Sequence, residues 1–557
     1  MNRRSFLKLS AVTAASLSPV ARIGAALGVT GVTSTQLNAS ASFNDYKALV
    51  VCFFDGGNDA MNMFPPSGAT AHDQYTVVRG SSTNQTENLN IALTDLSNTN
   101  FNIDEDGHFV KLDGVNHPYY DEPQDGDSLS ASAKRSYKIG MYHTTETTNN
   151  GNGTYTSTDT ATGLGINSMM PEIAAMYKKG TVSIVSNVGT LVKPTTQAQI
   201  EDGTAKLPVF LFAHNHQTRA VFTAQAEQLG ATGWAGRLAD NWNINDPVGL
   251  NLSYNGMPRL LIGDTTSPLV MPLGSPISFT TKYNQMNDRG DNFESVLNRF
   301  DAITNPNQFS SYYAHQTKLA GDLSSTLLTA MEQAPDFSTF TKKNTYGQTL
   351  FNTGVSIEAD AHLYMHDEMR SNIFRQLDAA TRMIKVGKDA LGYKRQIIYV
   401  GFAGFDSHGA QSVNHANNLR SISIAMSDFQ KALEEMGMDQ EVLTVSMSEF
   451  GRTLLNSGDG ADHGWGGHSF MMTGDQSFNG GNVFGTVMDD LRLEGVNTYT
   501  AKGRMIPTTS VEQMMAPCLK WFGVEDTLMP DILPNLVNFK TDPNEYNSAF
   551  LQGVFNT

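Results

Sequence analysis

The sequence predicts a doubly wound α/β fold with a mostly parallel central sheet and helices on both faces. Two observations support this prediction. Four short runs of mainly apolar residues, at 48–54, 181–186, 396–401 and 442–446, each have the length of one strand. Segments with helical periodicity lie between these runs, and strands that alternate with helices are typical of parallel sheets.

The first run extends from Tyr46 to Phe54 and leads directly into a polar turn, Asp55-Gly56-Gly57-Asn58-Asp59. Because the run is nearly free of polar residues, we expect both of its faces to be buried, as in the centre of a parallel sheet. The acidic residues of the turn then stand at the carboxyl end of a central strand.

The later elements continue the alternation. A helix through 171–177 precedes the strand at 181–187, and the third strand, at 396–401, leads to Asp406 and His408. Apolar residues at helical spacing predict a helix from Ser421 to Met436 before the fourth strand. A helical stretch with many Met and Leu residues, from about 310 to 386, is expected to pack on one face of the sheet.

Residues 80–160 differ from the rest of the chain because they are rich in Asn, Thr, Asp and Gly. This composition predicts a long, partly mobile polar surface insertion between the first and second strands. Its acidic pairs, Asp104 with Asp106 and Asp125 with Asp127, belong either to a solvated loop or to a calcium site. Apart from this insertion, we interpret residues 42–557 as a single α/β domain.

The N-terminal sequence, Met1-Asn2-Arg3-Arg4-Ser5-Phe6-Leu7-Lys8, indicates a twin-arginine export signal over residues 1–41. Cleavage after Ala39-Ser40-Ala41 would begin the mature chain at Ser42. We therefore expect a periplasmic or secreted protein that is exported folded. The alternatives are a basic disordered start and an uncleaved anchor.

Composition narrows the classes of partner. A net charge of −17 argues against nucleic acid, whose phosphates require clustered Lys and Arg. After the signal, no segment has about 18 uninterrupted apolar residues, so we expect no membrane span in the mature chain. The two cysteines, Cys52 and Cys518, lie among apolar residues and are expected to be buried thiols, with a disulfide as the alternative.

Acidic and imidazole groups follow the third and fourth strands and recur in a glycine-rich segment at 462–468. Because the carboxyl ends of parallel strands meet at one edge of a sheet, we expect these groups to converge there. Carboxylate oxygen and neutral imidazole nitrogen are ligands of divalent ions, and the alternative is turn capping without a metal. The candidate ligands are Asp406, His408, Glu449, Asp462, His463 and His468.

Other polar groups are candidates for the same site. His214 and His216 are potential ligands or supporting groups, or pocket-lining histidines without a metal. Arg452 and Arg219 could hold an oxyanion through paired hydrogen bonds or could form structural salt bridges.

Seven motifs that stand in order along the chain carry a resemblance to a known family. From about Lys47 to Phe539 the chain closely resembles the twin-arginine-exported bacterial family called domain of unknown function 1501. That family looks like a divergent branch of the alkaline phosphatase/sulfatase superfamily, a doubly wound α/β fold whose members hydrolyse phosphate or sulfate esters with one or two divalent metals. The motifs are Gly56–Asp59, Asn187–Val192, Gly233–Arg237, Gly404–His408, Ser448–Thr453, Asp462–Gly464 and Ile506–Val511.

The resemblance implies a set of metal ligands in this sequence. The set consists of Asp59 (with Asp55 as the alternative), Asp406, His408, Glu449, and His463 or His468. The chain departs from the superfamily pattern at two positions. Phe450 replaces a histidine ligand, and Ala213 stands where the related sequences carry a nucleophilic serine, which leaves Thr218 as the hydroxyl a few residues further on.

The resemblance therefore implies an exported, metal-dependent hydrolase of phosphate or sulfate esters, with zinc, calcium or manganese as its cofactor. Its substrate would be a small anionic ester, and its catalytic candidates are Thr218, His214 and Arg452. Ala213 and Phe450 favour the alternative, a catalytically lapsed scaffold or ligand-binding protein of the cell envelope with an unidentified protein partner.

Overall fold

A computed structural model describes residues 43–556, apart from 81–87, 97–101, 104–108, 111–136, 139, 243–249, 274–294, 297–298, 300–322, 346 and 353–370. The predicted export signal and the acidic pairs at 104, 106, 125 and 127 lie outside the described residues. No helix in the described part of the chain has both the length and the apolar character needed to cross a membrane.

Most of the longer strands lie in one central sheet, and the others form short antiparallel pairs. In chain order the strands are β1 (Lys47–Asp55), β2 (Asn102–Ile103), β3 (Phe109–Val110), β4 (Met141–Asn149), β5 (Tyr155–Asn167), β6 (Val182–Gly189), β7 (Asn251–Ser253), β8 (Leu269–Val270), β9 (Arg395–Ala403), β10 (Val442–Met447), β11 (Arg452–Ser457), β12 (Gly460–His463), β13 (Gly467–Met472), β14 (Val483–Phe484), β15 (Thr498–Tyr499), β16 (Arg504–Met505) and β17 (Thr509–Ser510).

The helices range from single turns to 25 residues. They are α1 (Ala60–Met63), α2 (Ala69–Arg79), α3 (Pro171–Lys178), α4 (Gln197–Glu201), α5 (His214–Thr223), α6 (Trp234–Trp242), α7 (Ser371–Asp389), α8 (Gln411–Glu435), α9 (Val511–Phe522) and α10 (Met529–Ile532). Short 3-10 helices lie at Arg259–Leu261, Phe337–Thr339, Asp439–Glu441, Pro534–Phe539 and Tyr546–Ala549.

The central sheet is mixed but mostly parallel, which confirms the predicted α/β class. Its strand order is β14-β6-β13-β10-β1-β9-β7-β8, and β17 also pairs with β6. The four strands predicted from the sequence, β1, β6, β9 and β10, all run in the same direction. Strand β13 is the exception, because it is antiparallel to both β10 and β6. The chain reaches β13 from β10 through a short hairpin without a crossover helix, so it must return in the opposite direction.

Alternate residues of β1 face two separate hydrophobic cores. Ala48, Val50, Cys52 and Phe54 contribute to one core, and the residues between them contribute to the other. Helices α3, α7 and α8 pack on the first face, whereas α5, α6 and α9 pack on the second. Burial on both faces explains why the sequence of β1 lacks polar alternation.

Three polar turns meet at one edge of the sheet. Strands β9 and β10 flank β1 in parallel, with Asp55 opposite Ala403 and Phe53 opposite Met447. The chain segments that follow these three strands therefore leave the sheet side by side. This is the convergence expected when polar groups follow neighbouring parallel strands. Asp406 and His408 lie at this edge, in the segment that follows β9.

The remaining predictions have mixed outcomes. Cys52 and Cys518 are both free and buried, as expected. Within the predicted 310–386 helical stretch, 323–331 and α7 are helical among the described residues. The predicted helix from Ser421 to Met436 corresponds to the C-terminal part of α8, which begins ten residues earlier and ends at Glu435. Within the predicted insertion, β4 and β5 form an antiparallel pair, and the insertion as a whole stays a prediction.

Candidate metal centre

Four side chains from three segments of the chain meet at the carboxyl edge of the sheet. Asp406 and His408 follow β9, His463 is the last residue of β12, and His214 is the first residue of α5. We call these four residues the histidine cluster. The sequence predicted three of them as metal ligands and proposed His214 as a catalytic or ligand group, so the structure brings together candidates that lie up to about 250 residues apart.

The ring Nε2 atoms of the cluster approach one another closely. The Nε2 atom of His463 lies 3.0 Å from that of His214 and 2.9 Å from that of His408. The Asp406 Oδ1 atom lies 3.0 Å from His408 Nε2 and 3.5 Å from the Nε2 atoms of the other two rings. Ligands bound about 2.0–2.2 Å from one ion at tetrahedral angles are separated by roughly 3.3–3.6 Å, so these spacings fit a shared ion after small adjustments.

Hydrogen bonds at the opposite ring nitrogens define the tautomers of two rings. His463 Nδ1 donates to the carbonyl oxygen of Phe212 at 2.7 Å, and His214 Nδ1 donates to Glu449 Oε1 at 2.7 Å. A neutral ring that carries its hydrogen on Nδ1 presents a lone pair at Nε2. The two Nε2 lone pairs therefore face each other at 3.0 Å. Either a proton on one ring or a cation shared by both would remove the resulting repulsion.

The surroundings shift the pKa values of these two rings in opposite directions. The hydrogen bond to Glu449 is the main reason that the pKa of His214 is raised. Burial is the main reason that the pKa of His463 is lowered, and the nearby His214 and Arg452 lower it further. In the absence of a metal, His214 is therefore the ring that takes up a proton more readily.

Glu449 contacts the histidine cluster through His214 Nδ1, the ring nitrogen on the side away from the other cluster residues. Its side chain is fully buried, and Oε1 accepts hydrogen bonds from both His214 Nδ1 and the backbone N–H of Gly56, the latter at 2.9 Å. A carboxylate that holds the far nitrogen of a metal-ligating histidine is a common second partner in metal sites, because it orients the ring and makes it more basic. The sequence identified Glu449 as a site residue but predicted direct ligation.

Glycine at position 56 allows the first turn to approach the second. Its φ of +118° lies in the region that favours glycine, and a Cβ atom there would lie 2.4 Å from the backbone nitrogen of Asp406. The Gly56-Gly57 sequence therefore lets the turn after β1 pack directly against the turn after β9.

Arg452 links the turn after β1, the turn after β9 and strand β12 through its hydrogen bonds. Its guanidinium donates to the carbonyl oxygens of Gly56, Gly57, Phe405 and Ala461 and to Asp406 Oδ1 at 2.6 Å. The arginine side chain is fully buried, whereas Asp406 is 51% exposed. Burial tends to raise the pKa of Asp406, but the hydrogen bond and charge of Arg452 outweigh it, so the pKa is lowered and the group is a carboxylate. All the donor groups of Arg452 thus have protein partners.

Phe450 closes one side of the histidine cluster. Its ring centroid lies 4.8 Å from that of His214 and 5.0 Å from that of His463. The position that carries a histidine ligand in the resembled superfamily thus supplies an apolar wall in this chain.

Phe212 and Arg504 form a second support that sequence reasoning missed. Phe212 has a φ of +74°, which is strained for a bulky residue, and this conformation aims its carbonyl oxygen at His463 Nδ1. The guanidinium of Arg504 lies 4.1 Å from the centroid of the Phe212 ring, and its Nε donates to the carbonyl oxygen of His463 at 2.8 Å. No local sequence pattern signals this arrangement, since its parts come from distant loops.

Asp55 lies close to the cluster, although the resemblance favoured Asp59. Partial burial and the negative charges of Glu449 and Asp406 raise the pKa of Asp55, and only His214 opposes them. A nearby cation would favour the ionised form of a carboxyl group, such as Asp55, whose pKa is raised by neighbouring negative charges.

The main side-chain contacts of the other predicted ligands, Asp59, His468 and Asp462, are with groups outside the histidine cluster. Both carboxylate oxygens of Asp59 contact Arg79, at 2.8 and 2.9 Å, and both side chains are fully buried. His468 Nδ1 accepts a hydrogen bond from the backbone N–H of Asn187. Asp462 pairs with Lys502; this partner and the backbone N–H of His463 lower the pKa of Asp462 to about 2 despite some burial.

The hydroxyl predicted as a nucleophile lies in the second turn of a helix. Ala213 is the N-cap of α5 and His214 is its first residue, so Thr218 follows His214 by one turn. The stretch before Ala213 forms turns, in which Phe210 and Phe212 have positive φ values. Thr218 therefore stands further along the helix than the histidine that joins the cluster.

Among the residues that the structure describes, two overlapping groups could hold a metal ion. One comprises His214, Asp406 and His463, and the other comprises His408, Asp462 and His463; within each group the ligand atoms lie within 4.8 Å of one another. The ion pair with Lys502 already neutralises Asp462, which favours the first group. His408 is not a member of the first group, but its Nε2 lies 3.0 Å from Asp406 Oδ1 and 2.9 Å from His463 Nε2. A set of imidazole nitrogens with one carboxylate suits zinc or another transition metal better than calcium, which prefers oxygen ligands.

Comparisons with known proteins support the family resemblance over part of the chain. A family model described as "Protein of unknown function (DUF1501)" matches residues 283–511. The matched range includes Asp406, His408, Glu449 and His463 but not His214. No curated protein matches the chain. A solved structure described as "Crystal structure of Ps i-CgsB" is similar with 10% identity and a TM-score of 0.26, over 67% of this chain and 72% of that one.

Proposed function

We propose that this chain is an exported, metal-dependent hydrolase of phosphate or sulfate esters, with one divalent transition metal held by His214, Asp406, His408 and His463. The observation that carries the proposal is the pair of Nε2 lone pairs that face each other at 3.0 Å between His214 and His463. Their Nδ1 hydrogens are donated to Glu449 and to Phe212, so a shared cation satisfies both rings at once.

Exposure of the cluster supports a role in chemistry as well as in stability. The side chains of His408 and Asp406 are 48% and 51% exposed, so an ester could reach an ion held there. Such an ion would supply Lewis acidity, polarising the phosphoryl or sulfuryl oxygen. The residues of the chain would orient that ion, since Glu449 and the Phe212 carbonyl hold the histidine rings and Phe450 excludes water from one side.

Metal content of the full chain is the first test. We expect elemental analysis of protein purified from its native compartment to find about one zinc or similar transition metal per chain. His408→Ala should lose this metal. The control is His143→Ala, which changes a half-buried histidine in β4. Wild-type protein that neither contains nor binds a transition metal would refute the proposal.

Activity is the second test. Metal-loaded protein should hydrolyse at least one substrate in a panel of aryl phosphates, phosphodiesters and aryl sulfates, and the His408→Ala variant should not. Ala213→Ser should raise turnover if a missing hydroxyl limits the reaction. Because a serine at this N-cap also stabilises a helix by about 1 kcal/mol, its thermal stability must be measured separately from turnover.

A second candidate function, a metal-binding scaffold of the cell envelope, is favoured by a specific observation. Each guanidinium nitrogen of Arg452 donates to a protein oxygen, and its Nη1 also lies 3.5 Å from His408 Nε2. Ala213 offers no nucleophile. Metal-loaded protein without turnover on the whole panel, in both the wild type and Ala213→Ser, would support this scaffold over the hydrolase.

The export part of the proposal rests on the Arg3-Arg4 motif and needs its own experiment. Replacing both arginines with lysine should keep the protein in the cytoplasm, and cell fractionation would detect this change. An unchanged distribution would remove the twin-arginine route without affecting the metal site.

A further inference from the structure

An ion pair between Lys502 and Asp462 lies beside the histidine cluster. The Lys502 Nζ atom is 2.5 Å from Asp462 Oδ2, and the Arg504 Nη2 atom lies 3.8 Å from the same oxygen. The other oxygen, Oδ1, accepts a hydrogen bond from the backbone N–H of His463 at 2.8 Å. Asp462, which the sequence predicts as a metal ligand, is therefore bound to a lysine.

Two positions for an ion overlap at this edge of the sheet. We call them the inner position, formed by His214, Asp406 and His463, and the outer position, formed by His408, Asp462 and His463. In each position the ligand atoms lie within 4.8 Å of one another. His463 belongs to both, and its Nδ1 already donates to a backbone carbonyl oxygen, which leaves Nε2 for an ion. One ion can therefore occupy either position, but two ions cannot occupy both.

The ammonium group of Lys502 competes with an ion at the outer position. Lysine carries a compact charge, and a divalent ion bound to Asp462 would be repelled by it at short range. The carboxylate of the inner position, Asp406, also contacts a cation, Arg452. That guanidinium spreads its charge over a plane and donates to four backbone carbonyl oxygens as well. An ion at the inner position also removes the repulsion between the facing Nε2 lone pairs of His214 and its neighbour.

We propose, on the basis of the metal site in the proposed function, that Lys502 fixes the position of the ion. By holding the Asp462 carboxylate, Lys502 keeps the ion at the inner position. Without the lysine, the ion distributes between both positions, since two imidazoles and one carboxylate are a common ligand set for zinc. Lys502 is thus a positioning residue, and Asp462 becomes a ligand only when its lysine partner is removed.

Zinc affinities of variants in two backgrounds test this role. In the wild-type background, His214→Ala should lower the affinity by at least about 100-fold, because it removes a ligand. In the Lys502→Met background the loss should be at least about 10 times smaller, because the ion can move to the outer position. Adding Asp462→Asn to the Lys502→Met background should restore the larger loss. Isothermal titration calorimetry measures each affinity.

Comparing the two backgrounds separates the position of the ion from the change in net charge, which affects both members of each pair equally. Lys520→Met is the matched control, since Lys520 forms an exposed ion pair with Asp526 in another part of the chain. In that background the loss caused by His214→Ala should be the same as in the wild type. An equal loss in the Lys502→Met background would overturn the proposal. Should Lys502→Met fail to fold, Lys502→Gln takes its place.

A measurement on the wild-type chain tests the inner position directly. Long-range 1H–15N NMR of the histidine-labelled protein detects which imidazole nitrogens bind zinc, and zinc should shift the Nε2 signals of both His214 and His463. A zinc-bound protein in which the His214 signal does not move would overturn the proposal and leave a metal site of other residues. A wild-type chain that binds no zinc would instead refute the metal site itself, and the role of Lys502 with it.

Discussion

Two carboxylates at the same edge of the sheet, Asp59 and Asp406, each meet a buried arginine but have different surroundings. Asp59 is fully buried, and both of its oxygens contact Arg79. Asp406 is half exposed, and its Oδ1 faces three imidazole Nε2 atoms in addition to Arg452. A buried carboxylate that is paired with a buried guanidinium, such as Asp59, stabilises the fold. A solvent-exposed carboxylate beside imidazole nitrogens, such as Asp406, is available to bind a metal ion. Residue type alone does not distinguish these roles.

The largest effect is expected at the buried pair. Asp59→Ala leaves the Arg79 guanidinium buried without its counter-charge, so the free energy of unfolding should fall by about 3–5 kcal/mol. Urea denaturation measures this change. The control, Asp73→Ala, alters an exposed acid on the same helix as Arg79 and should change the free energy by less than about 0.5 kcal/mol. A loss below about 1 kcal/mol for Asp59→Ala would show that the buried Asp59–Arg79 pair contributes little to stability.

In the histidine cluster, a substitution is expected to change the affinity for zinc. His463→Ala removes a ligand candidate, so zinc affinity should fall by at least about 100-fold, since even supporting groups of metal sites are worth 10–100-fold. Isothermal titration calorimetry measures the affinity, with His143→Ala as the control. Wild-type affinity in His463→Ala would exclude His463 from the site and would remove the distinction between the two carboxylates.

A third carboxylate, Asp428, sharpens the comparison because it is fully buried and no guanidinium of the described residues pairs with it. Burial raises the pKa of Asp428 to about 7, and its Oδ2 accepts a hydrogen bond from the backbone N–H of Phe351. A pKa raised on folding means that the folded state binds the extra proton. This contribution to stability is therefore complete below about pH 4 and is lost as the pH rises towards 7, by up to about 1.4 kcal/mol per pH unit.

Asp428→Asn should flatten this part of the pH profile, because the amide oxygen can still accept the hydrogen bond from Phe351 but does not titrate. Urea denaturation at several pH values from 4 to 7 measures the difference between variant and wild type. A difference that is constant across this range would mean that Asp428 has an ordinary pKa in the folded protein.

The smallest effect is expected at Arg504, which contacts both His463 and Phe212. Arg504→Gln removes the hydrogen bond to the His463 carbonyl and the cation over Phe212, so zinc affinity should fall about 10-fold. The absorption spectrum of the cobalt-loaded protein should also shift, because His463 is reoriented. Arg504→Lys should restore part of the affinity. Arg492→Gln, an exposed control from the same part of the chain, should leave both measurements unchanged.

The sheet could be predicted from sequence largely because its central strands carry strong local signals. The runs at 48–54 and 396–401 correspond to β1 and β9 within two residues at each end. Strand β13 could not be recognised in this way, since its direction depends on the short hairpin that precedes it. The start of α8 was placed too late because its first ten residues are mostly polar and are buried only by tertiary contacts.

The candidate site was less accessible to sequence reasoning. Asp406, His408 and His463 were identified because they follow strands or lie in a glycine-rich segment. Asp59 was favoured over Asp55 by its motif, but its pairing with Arg79 depends on how α2 packs. Likewise, the direction of the Phe212 carbonyl group follows from a strained φ value. The residue type at this position does not predict such a value.

The position of β1 in the sheet has a consequence for the time course of folding. β1 is the first described strand in the chain, yet its two neighbours are β9 and β10, so Lys47 pairs with Arg395 and Ala48 with Val442. Pairings between such distant segments close very long loops and slow folding. During synthesis the middle of the sheet has to wait until about residue 450 has left the ribosome. A ribosome-stalled chain that ends before β9 would therefore expose β1, a strand that contributes to both cores of the folded protein, to chaperones and to aggregation.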